Sequence, residues 1–187
     1  VLGAAGQGKS WYALYRARTF SRLILFDSIH NYDLAAERIA FTDDLAHLMQ
    51  WTRERGAANE AFSGRPFHVA FLPLADDHGR AAQLDTLLRW AVHLGNCCVL
   101  VDEVDHYCEA ASTPDAMKRI INYGRHREVS LIWTARRHSA VSRELTSQTT
   151  ELAVFFQEEF VDVQAIARRI GPEAADRIRS LQERQCL

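Results

Sequence analysis

The chain has 187 residues, 48% hydrophobic and 25% charged, with a formal net charge of −2. That length supports one well-buried domain, 1–187, and leaves little for a second. The charge balance excludes a polycation binding nucleic acid over its whole surface, so any such contact needs a local patch.

No apolar run approaches a membrane span, and the expected location is the cytoplasm. The four cysteines, Cys97, Cys98, Cys108 and Cys186, form no C-x-x-C pair, which fits a reducing compartment better than a disulfide framework. The eight histidines show no H-x-x-x-H or H-E-x-x-H spacing, so no structural metal site is expected.

Val1-Leu2 reads as the end of a buried strand, expected to be truncated at its start. Gly3-Ala4-Ala5-Gly6-Gln7-Gly8-Lys9-Ser10 follows and fits the phosphate-loop (Walker A) pattern G-x-x-x-x-G-K-[ST]. Its glycines let successive N–H groups turn toward phosphate oxygens. Lys9 is placed to reach the β- and γ-phosphates, and the Ser10 hydroxyl to ligate Mg²⁺. Trp11 to Phe20 reads as a helix whose N-terminus faces the anion. Gly3, Gly6, Gln7, Gly8, Lys9, Ser10 and Trp11 are therefore the candidate ATP contacts, although the side chains of all four tryptophans (Trp11, Trp51, Trp90, Trp133) read as core.

Arg22 to Phe26 is the next strand, and its terminal Asp27 either orders the site or simply ends the strand. Thr42 to Glu54 reads as a helix with Thr42 as N-cap. Arg55 to Pro66 reads as a loop and Phe67 to Leu72 as a strand. Arg80 to Leu94 is a helix closed by Gly95.

Cys97 to Val101 is a strand with no polar residue, as expected when both faces are covered. It delivers Asp102 and Glu103 at its carboxyl end, where open α/β sheets place ligands. This is the acidic (Walker B) partner of the phosphate loop. Asp102 is expected to hold Mg²⁺ through a bound water, and Glu103 to polarise the attacking water. No N-K-x-D guanine-reading motif and no arginine-bearing lid are found, which favours ATP hydrolysis over GTP hydrolysis or small-molecule phosphorylation.

Thr113-Pro114 is expected to start a helix that stops at Gly124. From Lys118 to Arg143 seven basic residues face Glu128 alone. This segment reads as a solvated face, as a phosphate-backbone contact with nucleic acid, or as the source of an arginine finger. Val129 to Thr134 is a strand whose Thr134 is a candidate partner of the γ-phosphate or the attacking water. Thr146, Gln148 and Thr149 form a polar stretch with no assigned role. Leu152 to Phe156 is the last strand. Helices over Val161 to Ile170 and Pro172 to about Leu181 finish the chain. The alternation predicts an α/β fold: a three-layer P-loop NTPase (RecA/ASCE-like) with a mostly parallel central sheet.

Four blocks in order carry a resemblance: GAAGQGKS, LILFDSIHNYD, CCVLVDEVDHYCE and NYGRHREVSLIWTARRHSAVSRELTSQTTELAVFF. Together they resemble the HerA–FtsK superfamily of ring-forming, DNA-translocating P-loop ATPases. The short chain is most similar to the compact genome-packaging ATPases of viruses and prophages, with zonula-occludens-toxin-like phage assembly ATPases near by. The resemblance implies a DNA-stimulated ATPase acting on double-stranded DNA as a homo-oligomer, a hexameric ring. It implies Lys9 and Ser10 as nucleotide and metal contacts, Asp102 and Glu103 in hydrolysis, and Arg125 as the finger reaching a neighbouring subunit, with Arg127 and Arg136 as alternatives. The family often has glutamine after the sensor-strand threonine, where this chain has Ala135 and Arg136. A phage assembly or secretion ATPase and a non-motor ATP-dependent switch are the competing readings.

Overall fold

A strand that is apolar at every position, as Cys97–Val101 is, must be covered on both faces, and the computed structural model, which describes residues 1–56, 65–74 and 76–187, buries all five of its residues. Among the described residues, β1 (Arg22–Phe26), β2 (Ala40–Thr42), β3 (Phe67–Phe71), β4 (Cys97–Val101) and β5 (Val129–Trp133) form one sheet in the order β2-β3-β1-β4-β5. Every pairing is parallel. The helices are α1 (Lys9–Ala17), α2 (Leu45–Gly56), α3 (Asp77–Leu94), α4 (Asp115–Tyr123), α5 (Arg143–Ser147), α6 (Phe160–Ile170) and α7 (Glu173–Ser180).

The two-residue period of a strand divides the core. Leu23 and Leu25 of β1 and Cys98 and Leu100 of β4 pack with Ala13, Leu14 and Ala17 of α1. Ile24, Phe26, Val99 and Val101 point the other way, onto Leu48 of α2, Leu87 and Leu88 of α3 and Met117 and Ile120 of α4. Three layers result, with each fully buried Leu or Ile side chain contributing roughly 1.5–3 kcal/mol of transfer free energy. The α/β three-layer expectation is met.

Beyond β5 the order continues through isolated bridges. Leu2 pairs in parallel with Ala135 and with Val154, so the entry to the phosphate loop lies beside the extension of β5. The loop and the acidic end of β4 therefore flank the end of β5, all at the carboxyl edge of the sheet.

Several local expectations are corrected. Asp44, not Thr42, caps α2: its Oδ1 accepts from the N–H groups of Ala46 at 2.8 Å and His47 at 3.1 Å. Thr42 belongs instead to β2, a short exposed strand the sequence did not reveal. Leu152 to Phe156 forms single bridges rather than a strand, and its Phe155 pairs antiparallel with Cys186 near the C-terminus. Thr113 does not cap α4, because its hydroxyl donates to Ser142 Oγ at 2.7 Å. Most of the Arg55 to Pro66 loop lies outside the described residues. Trp11 is not core: it is 69% exposed and stacks on Tyr15 with ring centroids 5.6 Å apart.

Candidate nucleotide site

The phosphate loop is anchored at its start. Gly3 N–H donates to Ala135 O at 3.3 Å and Ala4 N–H to Phe156 O at 3.0 Å. Gly3 has no room for a side chain, since a Cβ there would lie 2.6 Å from Phe155 Cβ. Gly8 precedes α1 with φ of 94°, a left-handed value that glycine adopts at no steric cost. Among the described residues, the N–H groups of Gly6 and Gly8 find no acceptor. Free amides at a helix N-terminus are an anion site in waiting. Gln7 Oε1 is likewise buried with no hydrogen-bond partner among the described residues.

Lys9 is buried, and its Nζ donates to the loop's own Ala4 carbonyl at 2.7 Å. Burial pulls its ammonium below the usual lysine range, while the nearby carboxylates of Asp102 and Glu103 act against that shift. An ammonium held this way gains from an incoming phosphate.

Ser10 Oγ donates to both Asp102 oxygens, at 3.2 and 3.0 Å. Asn31 Nδ2 donates to Ser10 Oγ at 3.2 Å. The Tyr32 hydroxyl is buried beside Ser10 and Asp102, near enough to interact with both, although it completes no well-aligned hydrogen bond among the described residues. Both residues are placed by Asp27, whose carboxylate accepts from the backbone N–H groups of Asn31 at 2.9 Å and Tyr32 at 3.4 Å. Burial raises the Asp27 carboxyl above the usual carboxylate range, and those two donors partly offset it. Asp27 thus ends β1 and orders the site with one turn.

A hydroxyl, a buried carboxylate, a side-chain amide and a phenol gathered beside one another are hard oxygen and nitrogen groups that suit a Mg²⁺ ion keeping several waters. The donor set fits the metal expected from the sequence.

Glu103 and Thr134 complete the cluster. Thr134 is fully buried, its hydroxyl donates to Asp102 Oδ1 and accepts from Glu103 N–H at 2.9 Å. Glu103 takes a left-handed backbone conformation, φ 50°, which turns its side chain off the line of β4. Its Oε1 accepts from Arg136 Nε at 2.9 Å and Nη2 at 2.7 Å, and its Oε2 lies 3.2 Å from His106 Nε2. Lys9, Ser10, Asp102, Glu103 and Thr134 are therefore brought together as the sequence predicts.

Arg125 is not brought to this cluster. It sits in a 3-10 turn, Gly124–Arg127, ahead of β5 and lines a cleft of ≈ 1030 Å³ with Arg22, Asn96 and Cys97, all at the amino ends of the strands. Five residues of β5 separate that edge from the phosphate loop, about 15 Å at ~3.3 Å per residue. Arg127 is committed elsewhere: its Nε and Nη2 donate to the carbonyls of Val92 and His93 at the end of α3, at 3.1 and 2.9 Å. Arg137 donates to the buried Asp162 at 2.9 Å. Much of the basic segment is thus neutralised internally. Among its seven cations only Arg119, Arg125 and Arg143 have no ion pair or hydrogen-bond partner from their side chains among the described residues.

Thr146, Gln148 and Thr149 lie on and after α5 and stay away from the loop; Thr146 O and Thr149 O accept from Arg169. Sequence reasoning passed over Asn31, Tyr32, His106 and Arg184. Arg184 lies beside Gly8, whose added Cβ would be 3.6 Å from its Cγ. Asn31 and Tyr32 were signalled by the polar turn after Asp27. No signal marks Arg184, which the C-terminal pairing delivers.

No protein-family model and no curated protein sequence matches the chain. Solved structures do. The genome-packaging NTPase B204 from Sulfolobus turreted icosahedral virus 2, in complex with AMPPCP, superposes with a TM-score of 0.71 at 16% identity over 97% of this chain and 86% of that one. The same protein in complex with AMP gives 0.71 at 16% identity, covering 100% and 88%. VirB4 of Thermoanaerobacter pseudethanolicus gives 0.61 at 11% identity, covering 100% and 86%. The chain has the fold of these P-loop ATPases, and the likeness covers 97–100% of it, where the four motif blocks span most of the chain.

Proposed function

We propose that this protein is an ATP-hydrolysing motor that moves double-stranded DNA, of the kind that packages viral genomes, and that it works as a ring of identical subunits. The observation that carries the reading is the convergence of Lys9, Ser10, Asp102, Glu103 and Thr134 at one edge of the sheet. The likeness to a packaging NTPase holding a triphosphate analogue supports it.

In this reading the free amides of Gly6 and Gly8 and the Lys9 ammonium bind the phosphates, with Lys9 leaving Ala4 O for the β- and γ-phosphates. Ser10 and Asp102 hold Mg²⁺, with Asn31 and Tyr32 around its waters. The metal, when bound, neutralises phosphate charge. Thr134 fixes the Asp102 carboxylate and the Glu103 backbone, and Glu103 accepts a proton from the attacking water. A non-motor switch has little use for that carboxylate.

Arg125 acts only in trans in this scheme, because it lies at the far edge of its own sheet. A neighbour must then present the amino ends of its strands to this subunit's carboxyl ends, a head-to-tail interface that closes into a ring. A trans arginine adds ~10³–10⁵ to turnover in other NTPases.

The test is ATPase turnover against protein concentration, with and without double-stranded DNA. Turnover per subunit should rise with concentration and with DNA. Arg125→Ala should lose activity and regain it when mixed with Lys9→Ala subunits that carry an intact Arg125. Vigorous activity independent of both concentration and DNA contradicts the motor reading.

A further inference from the structure

The Glu103 carboxylate is not free to act as a base in this structure. Arg136 grips Oε1 with two N–H groups, and His106 lies against Oε2. With both guanidinium N–H groups on it, Oε1 is occupied where an attacking water would have to donate its hydrogen bond. Something must take Arg136 away before Glu103 can serve a water.

The two partners differ in freedom. The Glu103 side chain is only 11% exposed and that of Arg136 is 52% exposed. The backbone of Arg136 is fixed: its carbonyl accepts from the buried Gln157 Nε2 at 3.1 Å, and the preceding Ala135 N–H donates to Val1 O at 3.0 Å. The pivot is therefore rigid while the guanidinium is movable. Its positive charge is already felt at Lys9, the residue aimed at the terminal phosphates.

We propose that Arg136 reads the γ-phosphate of its own subunit's ATP, leaving Glu103 for that phosphate and so freeing the carboxylate only when a triphosphate is bound. This rests on the ATPase reading above and adds a cis-acting positioning residue to it. The exchange is favourable in sign because the guanidinium fork fits phosphate as well as carboxylate, and a terminal phosphate carries more negative charge than one carboxylate. A diphosphate offers nothing at that position, so Arg136 returns to Glu103 after phosphate leaves. The pair links the occupancy of the third phosphate to the readiness of the base, and it keeps an empty site from activating water. The trans role open to Arg136 in the sequence is the competing outcome, which rescue by mixing would reveal.

The experiment compares equilibrium binding of ATPγS and ADP, each with Mg²⁺, by calorimetry on wild type, Arg136→Gln and Arg136→Lys. Wild type should prefer ATPγS. Arg136→Gln should lose about tenfold of that preference, as expected for one charge-assisted contact, with ADP affinity within about twofold of wild type. Arg136→Lys, which keeps the charge and loses the fork, should fall between them. In mixing assays Arg136→Gln subunits should not be rescued by Glu103→Gln subunits that carry an intact Arg136.

Equal weakening of both nucleotides, an unchanged preference, or rescue by mixing would overturn the proposal while leaving the ATPase reading standing. A wild-type protein that binds neither nucleotide would remove the ATPase reading and this inference with it.

Discussion

Thr134→Val is the sharpest probe of how the site is built. The substitution keeps the β-branched shape inside the sheet and removes only the hydroxyl. In the wild type that hydroxyl donates to the buried Asp102 carboxylate and accepts from Glu103 N–H, and Thr134 has 0% exposure. Losing the charge-assisted bond to Asp102 costs about 1.5–3 kcal/mol. An unpaired buried Glu103 N–H costs a further ~1–3 kcal/mol. Ser10 still donates to Asp102, which limits the first term, so the expected total is about 2–4 kcal/mol. For a chain of this size, at roughly 2–4 °C per kcal/mol, the melting temperature should fall by about 5–15 °C.

Urea titration of the nucleotide-free protein measures the free-energy difference, with Thr134→Ser as the control that restores the hydroxyl. Thr134→Ser should stay within about 1.5 kcal/mol of wild type, losing only a methyl group's burial. A Thr134→Val protein as stable as wild type would refute the hydrogen-bonded junction between the ends of β4 and β5.

Other outcomes follow from single contacts. Lys9→Ala should weaken ATPγS binding by about 10–100-fold, the loss of one or two charge-assisted contacts, measured by calorimetry. Tyr32→Phe should raise the Mg²⁺ concentration for half-maximal ATPγS binding several-fold and leave Mg²⁺-free binding unchanged; equal effects with and without metal would place the phenol elsewhere. Gly3→Ala should cost about 1–3 kcal/mol by overpacking against Phe155, read by urea titration. With a disulfide reagent at pH 8, one thiol per native chain, Cys186, should react quickly. Cys97, Cys98 and Cys108 are buried, and burial pushes the Cys97 thiol up to about 12. Rapid reaction of a second thiol would mean that β4 or the segment after it is not covered as described.

The parts of the fold legible in the sequence are those whose cause is local. β1 and β4 fall on Arg22–Phe26 and Cys97–Val101 as expected, because uninterrupted apolar runs bounded by polar residues leave little choice of ends. The phosphate loop and its acidic partner were legible because fixed spacing and a strand end dictate where they emerge. β2 escaped because a three-residue, largely exposed strand has no period to detect.

The pairing of the C-terminus with Val154 and Phe155 escaped because it is a contact between distant segments with no pattern of its own. The arginines show the limit most clearly. Their clustering suggested a nucleic-acid face or a finger, yet Arg127, Arg136 and Arg137 spend their charge on α3, Glu103 and Asp162, partners that only the folded chain brings near. Trp11 shows the converse: helical spacing suggested core, but α1 buries Ala13, Leu14 and Ala17 and turns Trp11 outward.

The most direct test of the central claim is ATP binding and turnover, measured side by side, for wild type and Glu103→Gln. The account predicts that wild type releases phosphate, and that Glu103→Gln binds ATP about as tightly yet releases phosphate at least about 100-fold more slowly, the scale of a general base. Turnover by Glu103→Gln at the wild-type rate, or a wild type that binds ATP without ever cleaving it, would contradict it.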